Sequence, residues 1–170
     1  MMKIVQLNVT CGVGSTGKIC LAVSELLWGK GVENYILFSE GDSDYKYGIK
    51  YADKLEIKLA ALKSRVFGNY GFNSKALTKK LISKLDEIQP DIVHLHNLHG
   101  HGCNLEMLFG YFKEKNIRLF WTFHDCWTFT GHCVYFEYVN CDKWKNGCFQ
   151  CPQKKTYPAS YIFDRSKQNW

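Results

Sequence analysis

The chain has 170 residues, 46% of them hydrophobic and 22% charged, with a net charge of +6 at pH 7. This length suits one domain with its own core, and the lack of any unbroken apolar run of about 18 residues excludes a transmembrane helix. The N-terminus, MMKIVQLNVTCG, lacks the charged region, apolar stretch and cleavage site of a signal peptide, so a cytosolic protein is expected.

In chain order, Ile4–Val9 reads as a short buried strand that runs into the glycine-rich turn GVGSTGKI. A helix is predicted from Gly17 to about Trp28, with Ile19, Val23, Leu26 and Leu27 at helical spacing and Gly29 and Gly31 ending it. Asn34–Ser39 is a second strand, followed by the polar loop GDSDYKYG. Asp53 to Phe67 reads as an amphipathic helix whose inner stripe is Leu55, Leu59, Leu62 and Val66. Ser74 is placed to cap a further helix with Leu77, Leu81, Leu85 and Ile88 on one face, stopped by Pro90. Asp91–His96 is a third strand, Asn104 caps a helix to about Lys115, and Ile117–Phe123 is a fourth strand, apolar on both faces apart from Arg118 and Thr122. From Cys126 the pattern changes to a Cys-, Gly- and aromatic-rich stretch that runs to Pro158, and a last helical segment leads to Trp170.

Apolar strands alternating with helices predict an α/β fold. The expected form is a Rossmann-like parallel sheet with helices on both faces, plus an irregular Cys-rich insertion at about 126–155. In such sheets ligands bind at the carboxyl ends of the strands. Those ends are Thr10–Gly17, Glu40–Asp44, His96–Gly102 and His124–Trp127, where most of the polar and glycine-rich signals of the chain lie.

The first of these loops is one letter short of the phosphate loop G-x-x-x-x-G-K-[ST]: Gly12, Gly17 and Lys18 are in place, and Ile19 stands where a magnesium-binding hydroxyl belongs. Gly12, Gly14 and Gly17 allow close backbone approach, and a helix N-terminus favours an anion. A diphosphate bound without metal fits Gly12, Gly14, Ser15, Thr16, Gly17 and Lys18 better than ATP hydrolysis; a tight turn with no ligand is the plain alternative. In HLHNLHGHG, four histidines invite a metal. His94, though, lies one pleat deeper than His96 and reads as a hydrogen-bonded core residue. His96 and Asn97 could bind a substrate hydroxyl. His124 follows the fourth strand directly and faces the same cleft, with Asp125 placed to orient its imidazole; a structural His–Asp pair is the alternative. Asp125 also imitates the aspartate that ends a Walker B strand, which keeps a P-loop phosphotransferase as a competing reading. Asp42 and Asp44 could hold a divalent ion, although two acids in a surface loop are usually just solvated.

The chain has eight cysteines, and in a reducing compartment clustered cysteines bind metal more often than they pair. Cys133, Cys141, Cys148 and Cys151 follow C-x7-C-x6-C-x2-C. This is compatible with structural zinc on four thiolates, with free thiols, or with disulfides. His132 or Cys126 could replace one ligand. Residues 50–84 carry nine lysines and arginines against Asp53 and Glu56, a local +7. Such a surface is a solvated helix face, or one that meets anionic lipid or a polyanionic substrate. Basic residues without interleaved aromatics do not suit single-stranded nucleic acid.

The combination of GVGSTGKI, PDIVHLHNLHG and WTFHDCWTFTGHCVYFEYVNCDKW with the trailing GCFQCPQ resembles the N-terminal domain of bacterial family 4 glycosyltransferases, in particular those that make capsule and other surface polysaccharides. The resemblance covers essentially the whole chain. It implies a GT-B architecture of two Rossmann-like domains, a nucleotide-diphosphate sugar donor, retention of anomeric configuration and no catalytic metal. It implies that residues 1–170 form the acceptor-side domain, taking a glycan or lipid-linked acceptor near His96, Asn97 and His99. Gly12 to Lys18 would approach the donor diphosphate and His124, with Asp125, the transferred sugar. The donor domain with its E-x7-E motif lies outside this chain, so the chain alone is expected to be inactive. A zinc-stabilised, non-enzymatic binding domain is the remaining alternative.

Overall fold

The computed structural model describes residues 2–170. Five strands form one all-parallel sheet: β1 (Lys3–Asn8), β2 (Glu33–Phe38), β3 (Gly48–Lys50), β4 (Ile92–Leu95) and β5 (Arg118–Trp121), in the order β3-β2-β1-β4-β5. The α/β, Rossmann-like expectation is met. The chain steps outward from β1 through β2 to β3, then returns to the other side of β1 with β4. The loops after β1 and β4 therefore diverge and leave a crevice at the carboxyl ends of the strands.

The helices are α1 (Gly14–Gly29), α2 (Lys54–Phe67), α3 (Lys75–Ile88), α4 (Leu105–Glu114) and a four-residue α5 (Ser166–Asn169). Alternation along each strand divides the core. Val5, Leu7, Leu37, Val93 and Leu95 pack against Leu81 and Leu85 of α3 and Leu108 and Phe112 of α4. Ile36 and Phe38 point the other way, onto Cys20 of α1. Leu77, Leu81 and Leu85 are buried as the spacing predicts, and the Asn104 side chain caps α4 by accepting from the Met107 amide at 2.9 Å. Ser74 sits at the start of α3 but spends its hydroxyl on the His101 carbonyl, 2.7 Å away.

Several expectations are corrected. β3 pairs with β2 only through Gly48–Lys50, too short a segment to show alternation in the sequence. α1 begins at Gly14, three residues before the predicted start, and its buried residues are Gly17, Cys20 and Ser24 rather than the larger apolar ones. Small side chains let α1 lie close to the sheet, while Ile19 and Leu26 face out. β5 is an edge strand whose residues alternate between exposed and half-buried, so Phe120 is solvent-exposed. The predicted inner stripe of α2 faces solvent: Leu55, Leu59 and Leu62 are 68%, 53% and 60% exposed, and Ala60 and Ser64 are buried instead. Beyond β5, residues 122–165 hold three 3-10 turns, at Trp127–Phe129, Glu137–Val139 and Lys143–Lys145, and the last helical segment shrinks to α5. No helix among the described residues is long and apolar enough to cross a membrane.

Candidate functional site

The first strand looks apolar, but its second face is polar. Gln6 and Asn8 of β1 are fully buried, and parallel pairing sets Gln6 beside His94 of β4 and Ile36 of β2. Buried polar groups must find partners, and these find each other at the strand ends. Asn8 donates to the Thr10 carbonyl at 2.8 Å and to the Thr16 hydroxyl at 3.4 Å, and accepts from the Asn97 amide at 3.2 Å. One side chain thus ties the glycine loop, the first turn of α1 and the loop after β4. Next to it, His96 Nδ1 lies 3.0 Å from His124 Nε2, which brings in the loop after β5.

Gly12 and Gly14 have φ of +72° and +69°, a left-handed conformation that only glycine adopts without cost. Gly17 lies inside α1, and a Cβ there would come within 2.6 Å of the Thr10 hydroxyl. The helix N-terminus is thus formed by Gly14, Ser15 and Thr16, whose amides have no preceding helical carbonyl to bond. Ser15 and Lys18 are exposed. An open groove of about 410 Å³ on the flank of this loop is bordered by Glu25, Asp42 and Asp44. Asp42 is held by Lys50 at 2.7 Å. The acidic wall disfavours a phosphate in that groove.

Asp125 does not orient His124. Its Oδ2 lies 2.9 Å from His99 Nε2, with the ring N–H directed off the oxygen. Its Oδ1 accepts from the Trp127 amide at 2.9 Å. Burial opposes ionisation of Asp125, but the His99 ring, the Trp127 amide and the nearby His124 outweigh it and hold the carboxyl below the usual range. His99 completes a chain to the Tyr157 hydroxyl, 3.1 Å from its Nδ1. His99 and His96 are therefore buried with both ring nitrogens facing protein groups, whereas Asn97 and His124 are half-buried at the cleft. His94 bonds the Thr122 hydroxyl at 2.8 Å, in the structural role its depth predicts.

Sequence reasoning missed Gln6, Asn8 and Asn34. For Gln6 and Asn8 the signal was present: polar residues two apart in β1 match His94 of β4 and His96 just beyond it, and parallel register puts both pairs on one face.

The cysteines lie apart from this cleft. Cys133, Cys141, Cys148 and Cys151 border one small cavity of about 10 Å³, with His132, Phe136, Trp144 and Phe149 around them. A hydrogen bond from Cys151 lowers the Cys133 thiol and raises that of Cys151. Among the described residues, no three His, Cys, Asp or Glu side chains form a ready-made metal cage. Cys11, Cys20 and Cys103 are buried free thiols.

No family model matches the chain. Over 185 aligned residues it is 28% identical to a protein of Escherichia coli (strain K12) described as "Putative colanic acid biosynthesis glycosyl transferase WcaC". The match takes in 98% of this chain and 43% of that protein, so the chain spans less than half the length of its relative.

Proposed function

We propose that this chain is the acceptor-side half of a GT-B glycosyltransferase of surface-polysaccharide biosynthesis, and that the donor-side domain is supplied by sequence beyond the matched region. The observation that carries this is one hydrogen-bonded cleft. The α1 N-terminus and the His124 imidazole, distant in sequence, are linked through Asn8, Asn97 and His96. The similarity to a protein named a glycosyl transferase supports the same reading.

Glycosyl transfer passes through a cationic, oxocarbenium-like sugar, and here a diphosphate departs. The amides of Gly14, Ser15 and Thr16 and the positive end of α1 would stabilise the leaving charge. Gly12 and Gly14 shape the backbone for that approach, Gly17 seats α1 on Thr10, and Lys18 adds a mobile positive charge. His124 would bond a sugar hydroxyl. Asp125 and His99 would fix the loop that carries it, and Asn97 would face the acceptor. The exposed Ile19, without a hydroxyl, disfavours a magnesium-dependent phosphotransferase. The test is donor binding by the complete enzyme with magnesium chelated; binding of Mg-ATP alone would reverse the assignment.

Two further assignments accompany this one. Four thiols around one cavity fit zinc in number and softness. Cys133, Cys141, Cys148 and Cys151 would hold it once their sulfurs turn inward, and the ion would tie the 126–155 segment together. Equimolar zinc in the purified protein supports this; metal-free protein with four alkylatable thiols refutes it. The exposed leucine stripe of α2 is flanked by Lys54, Lys58 and Lys63, and Phe67 stacks on exposed Phe163 at 5.9 Å. An apolar strip bordered by lysines suits an anionic bilayer carrying a lipid-linked acceptor. Co-sedimentation with phosphatidylglycerol vesicles, but not with phosphatidylcholine vesicles, is expected.

A further inference from the structure

His124 ends a chain of hydrogen bonds whose polarity can be derived. At the far end, the Asn34 side-chain nitrogen lies 3.1 Å from the Ile4 carbonyl. A carbonyl only accepts, so this atom is the NH2 group and Asn34 Oδ1 is an acceptor. The Gln6 side-chain nitrogen contacts that Oδ1 at 2.9 Å and the Cys20 carbonyl at 3.0 Å. Both are acceptors, so Gln6 Oε1 is also fixed as an acceptor. It lies 3.1 Å from His96 Nε2, which must therefore carry a proton. Burial pushes His96 down to about 3, so the ring is neutral and its Nδ1 is a bare lone pair. That lone pair faces His124 Nε2 at 3.0 Å, which must donate.

We propose that Gln6 and His96 are positioning residues that hold the His124 proton on Nε2 and present its Nδ1 as a hydrogen-bond acceptor for a hydroxyl of the transferred sugar. The acceptor assignment rests on the glycosyltransferase reading; the proton placement does not. Two main-chain carbonyls, of Ile4 and Cys20, set the direction of the whole relay, so the tautomer at the cleft is dictated by the sheet and α1. A pre-set acceptor selects a sugar that offers a hydroxyl there, because an analogue lacking it leaves the lone pair unmatched.

The test is nitrogen-15 NMR of the protein labelled at its six histidines. The expected spectrum has a proton bonded to His124 Nε2, a coupling across the hydrogen bond to His96 Nδ1, and a neutral His96 protonated on Nε2. A proton on His96 Nδ1, or no coupling between the two rings, overturns the proposal. Gln6→Met removes the acceptor for His96 and should let the His124 proton redistribute between its nitrogens. It should also lower kcat/KM roughly tenfold or more in the complete enzyme, the range seen when partners orienting a ligating histidine are removed. If that variant does not fold, the wild-type spectrum still decides. UDP-glucose and GDP-mannose, added in turn, should shift His124 Nδ1. A sugar nucleotide that shifts the amides of residues 12–18 but not His124 Nδ1 overturns the acceptor assignment and leaves the transferase reading standing; no shift at either place overturns both, while the proton placement stands.

Discussion

Replacing Gly14 by valine separates backbone from charge in the glycine loop. Gly14 has φ +69°, and a Cβ built there would meet nothing within 4 Å. The cost of a side chain is therefore conformational and not a clash with neighbours. For a non-glycine residue the left-handed region costs about 1–2 kcal/mol, and a β-branched residue sits at the upper end. The loop can relieve this only by rotating the first amides of α1 away from the proposed diphosphate site. At about 1.4 kcal/mol per factor of ten, kcat/KM for the donor should fall roughly tenfold or more. Lys18 is exposed, and a single exposed charge is worth about 0.2–1 kcal/mol, so Lys18→Ala should cost at most about fivefold. Gly14→Asn is the control, because asparagine tolerates positive φ, and it should recover most of the loss. The assay is steady-state transfer by the complete enzyme, with thermal unfolding measured alongside. A larger loss for Lys18→Ala than for Gly14→Val would refute the argument that backbone geometry forms the phosphate site.

Stability should fall in acid for a specific reason. Burial holds folded His96 at about 3 against an ordinary 6.5, so between these values the unfolded chain binds a proton that the folded chain refuses. Stability is then lost as pH drops from 6.5 toward 3, by about 1.4 kcal/mol per pH unit for this group. Urea midpoints at pH 7 and pH 5 should differ accordingly, and less so in His96→Gln; equal midpoints in the wild type would count against a neutral His96. Chelation of the proposed zinc should raise hydrogen exchange in residues 126–155 and leave the sheet protected, and loss of all far-UV helix signal would contradict a local tie. Leu59→Asp, at a position 53% exposed, should weaken vesicle binding severalfold with little change in melting temperature, whereas unchanged binding would remove α2 from the membrane surface.

The sheet and the site were legible to different degrees. Strands β1, β2, β4 and β5 were visible because apolar runs bounded by turns have few other uses. So was α3, whose leucines repeat at 3.6-residue spacing and meet the core. The same spacing misled at α2: periodicity shows that a helix has an apolar stripe, not that the domain covers it. At α1 the buried side is made of Gly17, Cys20 and Ser24, residues too small to register as hydrophobic. The convergence of four strand-end loops was readable from topology, but their wiring was not. Asp125 turned to His99 and left His124 to His96, because partner choice depends on the relative depth of two loops that sequence spacing does not encode. Gln6 was hidden inside an apolar run, although its register with the β4 histidines follows from parallel pairing.

Whether the glycine loop and the His124 loop close on one sugar nucleotide is decided by hydrogen–deuterium exchange of the complete protein with UDP-glucose or GDP-mannose, with magnesium chelated. Protection is predicted for the glycine loop and first turn of α1, residues 12–18, together with the loop that carries His124, residues 122–126. Protection of 12–18 by Mg-ATP alone, with residues 122–126 unaffected by either sugar nucleotide, would contradict it.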